Sequence, residues 1–203
     1  MKVLLLEPYY TGSHAAWADG YAAHSRHQVT ILGLPGRFWK WRMHGGAVTL
    51  ARQFMGMDAA PDLLLATDML DLTTFLALTR ARTHAIPTAV YFPENQLSYP
   101  GSPGDRDVRQ GRDVHYGFIN YASALAADAL FFNSGYHLEG FFDELPRLLK
   151  HFPDYNELDG LAALRARSQV LPLGLDLRRL DEQKPEARSQ KSEVRSQRLA
   201  VRS

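Results

Sequence analysis

Residues 2–7 read Lys-Val-Leu-Leu-Leu-Glu, and this short apolar run decides the fold class. A continuous run of branched apolar residues predicts a strand that is buried on both faces, as in a parallel sheet. Further strands are predicted at 28–34, 63–66, 87–92, 130–132 and 170–173, and helices between them at 14–24, 48–55, 70–82, 116–127 and 135–149. This alternation predicts an α/β, Rossmann-like fold with a mainly parallel sheet, helices on both faces and right-handed crossovers.

Composition excludes several classes of protein. The chain has 203 residues, 45% of them hydrophobic and 22% charged, and no cysteine. A chain of this size can bury a core of its own, and without cysteine it has no thiol nucleophile, thiolate zinc site or redox motif. The first apolar run is too short for a signal peptide, and no run approaches the roughly 18 apolar residues of a membrane span. We therefore expect a cytoplasmic protein with no membrane partner.

The charge distribution predicts a boundary near residue 180. Residues 184–203 carry six basic and two acidic side chains, and Arg-Ser-Gln occurs at both 188–190 and 195–197. Such a segment has too few apolar residues to pack, which predicts a domain at 1–180 and a disordered, low-complexity basic tail at 181–203. A basic arm for RNA is the alternative.

The segment after the first predicted strand contains Gly12, Ser13 and His14. Amides at a helix N-terminus favour an anion, and glycine lets a ligand approach the backbone. The alternative is a plain helix start, capped by Ser13, with His14 exposed. Neither G-x-G-x-x-G nor G-K-[ST] occurs, which disfavours dinucleotide and P-loop sites.

Aromatic and basic residues alternate in the predicted loop at 34–44. The candidate binding residues are Arg37, Trp39, Lys40, Trp41 and Arg42. Flat rings stack on sugars or bases, and cations bind phosphate. The alternative is that Phe38 and one tryptophan cover the sheet edge.

Polar residues also follow two later strands. Glu94, Asn95 and Gln96 supply a carboxylate and two amides for a polyhydroxylated ligand, unless they form an ordinary turn. Asn133 and Ser134 either cap the next helix or line the cleft. Ligands bind beyond the carboxyl ends of strands in such folds, which places these segments at one edge.

Two possible metal motifs are disfavoured. His24 and His27 lie three residues apart, but no further ligand is evident, and surface histidines are the simpler interpretation. Asp105-Arg106-Asp107 has the D-x-D pattern of metal-dependent sugar transferases, yet it lies in a Gly/Pro loop and does not follow an apolar strand.

Four of these segments together resemble the amino-terminal domain of the tRNA-queuosine alpha-mannosyltransferase family, whose members are similar to GT-B glycosyltransferases. The resemblance covers about residues 2–180. It depends on the order of four motifs, at 7–14, 37–42, 94–100 and 126–134.

The resemblance implies a two-lobed, retaining, metal-independent enzyme that needs no cofactor and transfers mannose from GDP-mannose to queuosine in tRNA. The amino-terminal lobe would receive the acceptor. The cleft facing the donor phosphates would be lined by Gly12, Ser13, His14, Asn133 and Ser134. The reaction centre would be lined by Glu94, Asn95 and Gln96. The acceptor would be flanked by Arg37, Trp39, Lys40, Trp41 and Arg42.

The chain departs from the family pattern in two ways. Pro93 stands where a histidine is expected before Glu-Asn-Gln, which puts the acceptor chemistry in question. Residues 170–176 resemble the segment that closes the first lobe, and the repetitive tail follows where a donor-binding lobe is expected. We therefore expect a truncated transferase or one that works with a separate carboxyl-terminal lobe polypeptide. The alternative is a non-catalytic fragment or an acceptor-binding module.

Overall fold

The computed structural model of the chain describes residues 1–98 and 114–174. The strands are β1 (Lys2–Tyr10), β2 (Gln28–Pro35), β3 (Leu63–Thr67), β4 (Thr88–Phe92), β5 (Ala129–Phe132) and β6 (Ser168–Val170). The helices are α1 (Gly12–His24), α2 (Trp39–Gly56), α3 (Leu72–Thr83), α4 (Val114–Ala126), α5 (Gly135–Leu149) and α6 (Leu161–Ala166), with a 3-10 turn at Leu158–Gly160. Met1–Pro172 form one compact unit and Leu173 begins a second. The predicted tail at 181–203 lies outside the described residues.

The six described strands form one sheet in the order β2-β1-β3-β4-β5-β6, and every neighbouring pair is parallel. The predicted α/β architecture is therefore confirmed. After β2 the chain crosses back over β1 to reach β3, so the strand order reverses between β1 and β3. Such a switch point opens a crevice at the carboxyl ends of the strands, where ligands bind in open α/β sheets.

Both faces of the sheet are covered, but unequally. Leu4, Leu6, Val90 and Phe92 belong to a large core cluster that also contains residues of α2, α3, α4 and α5. Alternate residues of a strand point to opposite faces, so Tyr91 points away from this cluster. The Tyr91 ring stacks on Trp17 of α1 at a centroid distance of 4.6 Å, which places α1 on the opposite face. The apolar runs form strands because both of their faces are buried.

Two predicted element boundaries at the first strand are wrong. β1 continues through Pro8 to Tyr10, because the pairing with β2 shifts register between Glu7 and Tyr10, and proline is tolerated at such an irregularity. Helix α1 begins at Gly12, and the extended residue Thr11 is its N-cap. Ser13 therefore lies in the first turn and is not the cap.

Two further predictions are also wrong. The predicted loop at 34–44 is helical from Trp39, because Phe38 adopts a left-handed conformation with φ 54° and its carbonyl accepts a hydrogen bond from the Arg42 amide at 3.0 Å. The last strand is Ser168–Val170 and not 170–173. Leu171 still donates its amide to Phe132 at 2.7 Å, but Pro172 has no amide to continue the ladder.

Candidate active site

Glu7, His14 and Glu94 meet at the switch point of the sheet. Glu7 lies near the end of β1, His14 lies in the first turn of α1, and Glu94 follows β4. Nδ1 of His14 is 3.0 Å from Oε2 of Glu7, and Nε2 of His14 is 3.9 Å from Oε1 of Glu94. The histidine ring therefore lies between two carboxylates, one on each nitrogen. Glu7 was not predicted as a site residue, because it looked like the polar end of a strand.

The environment of His14 favours its charged form. Burial opposes protonation, but the hydrogen bond to Glu7, the nearby carboxylate of Glu94 and the charges of Glu7 and Asp68 outweigh this and raise the pKa of His14 to about 10. The distance to Glu94 is that of an ion pair more than of a hydrogen bond, so we assign the larger effect to Glu7. His14 is consequently an imidazolium at neutral pH, and it is 8% exposed.

Asp68 is a second residue that was not predicted. It follows β3 and is fully buried, and neither carboxylate oxygen has a hydrogen-bond partner among the described residues. Burial raises the pKa of Asp68 well above its ordinary value; His14 opposes this, and Glu94 and Glu7 add to it. Burial in this setting favours the neutral form of the carboxyl group. An aspartate directly after a buried parallel strand is the sequence signal that could have identified it.

The start of α1 borders this cluster. Gly12 has φ 52°, a left-handed conformation that favours glycine, and Gly12 and Ser13 are both exposed. Thr11 makes no side-chain capping bond, so the first-turn amides have no capping partner from that residue. The structure thus brings Gly12, Ser13 and His14 to the same edge as Glu94.

Asn95 and Gln96 occupy a turn that is fixed from within. Oδ1 of the buried Asn95 accepts hydrogen bonds from the Leu97 amide at 3.1 Å and the Ser98 amide at 3.0 Å. The Gln96 amide donates to Oδ1 of Asn120 at 2.8 Å. Asn95 therefore shapes the turn that presents Glu94, which is the role sequence analysis gave as the alternative for this triplet. Its Nδ2 atom is buried and has no partner among the described residues.

Asn133 and Ser134 stabilise the neighbouring strand end. Nδ2 of Asn133 donates to the Pro93 carbonyl at 2.7 Å, and the Ser134 hydroxyl accepts the His137 amide at 3.2 Å. Ser134 is therefore the N-cap of α5, as one of the two interpretations predicted. Asn133 thus bonds to Pro93, the residue immediately before Glu94, and helps to fix the backbone that carries Glu94.

The aromatic and basic residues divide into two groups. Trp39 is partly buried against Met43, and Lys40 lies over the Trp39 ring at 5.5 Å from its centroid. Nε of Arg42 donates to the Pro35 carbonyl at 3.1 Å. Arg37 and Trp41 are exposed, and Trp41 retains 63% of its accessible surface.

Tyr9 connects the start of α2 to the cluster formed by Glu7, His14 and Glu94. Its ring lies edge-on to the His14 ring at a centroid distance of 5.8 Å, and it also packs on the cluster that contains Met43 and Trp39. Phe38 is exposed beside the predicted residues, although the sequence suggested a place for it only at the edge of the sheet. The two groups of candidate residues are thus joined through one aromatic ring.

Neither a metal-binding cluster nor a membrane-spanning helix is found in the part of the chain that the structure describes. Within residues 1–98 and 114–174, no three His, Cys, Asp or Glu side chains are grouped so that they could hold a metal ion. Nδ1 of His24 is 2.9 Å from the Gly20 carbonyl oxygen. The Asp105-Arg106-Asp107 motif lies outside the described residues. Of the helices described, none is long and apolar enough to cross a bilayer.

The all-parallel, six-stranded sheet covered by helices defines an α/β protein of the Rossmann-like class. Residues 2–175 match the family model of the tRNA-queuosine alpha-mannosyltransferase N-terminal domain. A similar protein is the tRNA-queuosine alpha-mannosyltransferase of Drosophila melanogaster, which is 33% identical over 183 residues. The match covers 90% of this chain and 47% of that relative, so the chain spans about half the length of the curated relative. The chain belongs to the tRNA-queuosine alpha-mannosyltransferase family.

Proposed function

We propose that this chain forms the acceptor-side half of a glycosyltransferase that moves mannose from GDP-mannose to queuosine in tRNA. The proposal rests on the family to which the chain belongs and on one structural observation. His14 and Glu94 converge at the switch point of a parallel sheet, where a ligand of an α/β protein binds. In the GT-B arrangement that we propose, the donor-binding residues lie in a second lobe, present in a longer form of the protein or on a separate polypeptide.

Transfer with retention passes through a state in which positive charge develops on the sugar and negative charge on the leaving phosphate. The chain supplies groups of both signs near this reaction, since His14 is cationic and Glu94 is a partly exposed carboxylate. The uncapped first turn of α1, with Gly12 and Ser13, adds amide dipoles that favour phosphate. We propose that these groups act without a metal ion or an organic cofactor.

The tRNA is proposed to contact the exposed residues at the start of α2. Trp41, Phe38 and Arg37 offer two rings for stacking and one cation for phosphate. Trp39, Lys40 and Arg42 make contacts within the chain and are proposed to hold this surface in place. We further propose that the reaction takes place in the cytoplasm.

A chimera tests the function directly. Residues 2–175 of this chain replace the matching segment of the Drosophila relative, so that the second half of that protein is supplied. We expect mannose transfer from labelled GDP-mannose to tRNA that carries queuosine, and none to the same tRNA without it. Glu94→Gln in the chimera should lower turnover at least a hundredfold, whereas Glu144→Gln, a surface change on α5, should leave it unchanged.

The outcomes are distinct. An inactive chimera that folds and binds tRNA would contradict the transferase function and favour the acceptor-binding alternative. Transfer that persists in Glu94→Gln would remove Glu94 from the reaction centre. Activity of the unmodified chain alone would contradict the need for a second lobe.

A further inference from the structure

We propose that His14 and Glu94 together bind one hydroxyl group of a substrate, and that Glu7 is a positioning residue that orients the His14 ring for this contact. The inference deepens the proposed function and rests on it, because the hydroxyl is assigned to the mannose of the nucleotide-sugar or to the queuosine of the acceptor tRNA.

The spacing of the two side chains selects the ligand group. Nε2 of His14 and Oε1 of Glu94 are 3.9 Å apart, which is too far for a direct hydrogen bond. An oxygen atom that lies about 2.8 Å from both atoms, to one side of the line that joins them, could therefore contact the two groups at once. A hydroxyl can accept a hydrogen bond from the ring and donate one to the carboxylate at the same time. A phosphate oxygen only accepts and would be repelled by Glu94, and an ammonium group only donates and would be repelled by His14.

Glu7 is held so firmly that it fixes the ring. Its Oε2 accepts from Nδ1 of His14 at 3.0 Å, and its Oε1 accepts from the backbone amide of Tyr9 at 2.8 Å. The side chain is fully buried, and the Tyr9 ring lies edge-on to the imidazole. With Nδ1 committed to Glu7, Nε2 is the nitrogen that faces Glu94. A buried carboxylate that orients a histidine in this way acts through the ring and does not touch substrate.

Asp68 provides an independent indication that the cluster meets a polar ligand. It is fully buried beside the other three ionisable groups, and neither of its carboxylate oxygens has a partner within the described residues. Unsatisfied buried polar groups are rare in folded proteins and concentrate at functional sites. The groups that face His14 are then Glu7 on Nδ1 and Glu94 on the side of Nε2, with the buried Asp68 beside them.

The cluster opens to solvent through Glu94. That side chain is 32% exposed, whereas His14 is 8% exposed and Glu7 is buried. A hydroxyl would therefore enter from the Glu94 side and meet Nε2, and Glu7 would remain behind the ring. The difference in exposure therefore separates His14 and Glu94, which would touch the substrate, from Glu7, which orients the His14 ring.

The test uses the full chain with ¹³C-labelled histidine, so that the Hε1–Cε1 signal of His14 reports on its ring by NMR. GDP-mannose is titrated in one arm, and a tRNA that carries queuosine in the other, with GDP and the same tRNA lacking queuosine as matched controls. We expect the His14 signal to shift with either GDP-mannose or the queuosine tRNA, and not with the control of that arm, which lacks the mannose or the queuosine. The arm that shifts identifies the source of the hydroxyl.

Variants then separate contact from positioning. His14→Gln and Glu94→Gln should each weaken binding of that ligand roughly tenfold or more, the size expected for a hydrogen bond with a charged group. Glu7→Ala should weaken it comparably, and the double variant Glu7→Ala with His14→Gln should lose little more, because both changes remove the same contact. Glu7→Gln keeps an acceptor for Nδ1, so it should rescue binding in part and lower the pH above which binding fades. His84→Gln, an exposed change at the end of α3, is the control.

Several results would overturn the proposal. These are a His14 signal that neither ligand moves, unchanged affinity in His14→Gln, or fully additive losses in the double variant. If Glu7→Ala does not fold, the pH dependence of ligand binding by Glu7→Gln decides. A purely structural role of Glu7 would leave this pH dependence the same as in the unmodified chain. If His14→Gln loses binding but the chimera is inactive, this inference stands and the transferase function is contradicted. If His14→Gln binds normally but the chimera is active, the transferase function stands and this inference is contradicted.

Discussion

Nδ2 of Asn120 lies 2.7 Å from the carbonyl oxygen of Asp68, and this hydrogen bond joins α4 to the segment that follows β3. Oδ1 of the same side chain accepts the Gln96 amide at 2.8 Å, so Asn120 also holds the turn that follows β4. The side chain is fully buried. One residue on a helix therefore sets the spacing of the two segments that carry Asp68 and Glu94.

Removal of the Asn120 side chain should be costly. Asn120→Ala would leave the Gln96 amide and the Asp68 carbonyl buried without their partner, and each unsatisfied group costs about 1–3 kcal/mol. We expect the free energy of unfolding in urea to fall by about 2–4 kcal/mol. Gln53→Ala on the exposed side of α2 is the control and should change it by less than about 0.5 kcal/mol. Equal effects of the two changes would show that Asn120 does not hold these segments.

Arg82 provides a second prediction, because it closes the carboxyl end of α2. Its guanidinium donates to the carbonyls of Phe54 at 2.6 Å, of Met57 at 3.0 Å and of Ala59, and it lies 4.4 Å from the centroid of the Phe54 ring. Arg82→Met should lower the free energy of unfolding by about 2–4 kcal/mol, since several carbonyls lose a charged donor. Arg80→Met, an exposed change on α3, which also carries Arg82, should have little effect on the free energy of unfolding. Thermal denaturation measures both variants, and equal losses of stability would contradict the role given to Arg82.

Much of the fold could be predicted from the sequence, because the strands of a parallel sheet are buried on both faces and appear as apolar runs. The boundaries that failed are those where local signals conflict with tertiary contacts. Pro8 looked like a strand breaker, although β1 continues across a register shift. The corresponding helix was predicted only from residue 48, although α2 begins at Trp39 and includes Gly45 and Gly46.

The site was predicted only in part for a related reason. Glu94 and His14 stand out as polar groups beyond strand ends, and the structure brings them together. Glu7 was missed because a charged residue inside a strand is buried only when a partner from another element reaches it, and that partner is seven residues away in α1. Asp68 directly follows a buried strand, and this position was the one signal that could have identified it. Its complete burial and its lack of a partner among the described residues depend on tertiary contacts, which a linear pattern does not report.

Gly46 permits α2 to approach β1 beside the site. A Cβ atom at this position would lie 2.8 Å from Cβ of Pro8, which follows Glu7 directly. Gly46→Ala should therefore force the helix outward and cost about 1–3 kcal/mol of unfolding free energy. Gly56→Ala at the end of the same helix meets nothing within 4 Å and should be neutral or stabilising by up to about 1 kcal/mol. Urea denaturation should show opposite signs, and a loss in both variants would contradict the role of close approach.

Trp39 and Trp41 should behave differently although they lie two residues apart. Trp39 packs on Met43 and Tyr116, so Trp39→Ala should lower the unfolding free energy by about 1–3 kcal/mol. Trp41 is largely exposed, so Trp41→Ala should leave stability within about 0.5 kcal/mol but weaken binding of queuosine tRNA by roughly fivefold or more if it stacks on a base. Fluorescence denaturation and a tRNA titration measure the two effects. Unchanged tRNA affinity in Trp41→Ala would remove this ring from the proposed RNA surface.

The charge of His14 predicts the pH dependence of stability. Its pKa is about 10 in the folded chain against 6.5 for an ordinary histidine, so between these values the folded state binds more protons than the unfolded state. Stability from this group is fully present below about pH 6.5 and is lost as the pH rises towards 10. We expect the urea midpoint of the chain to fall between pH 7 and pH 9, and to fall much less in His14→Gln. His84→Gln should keep the full slope. A slope that is identical in His14→Gln would show that Glu7 and Glu94 do not hold a proton on this ring.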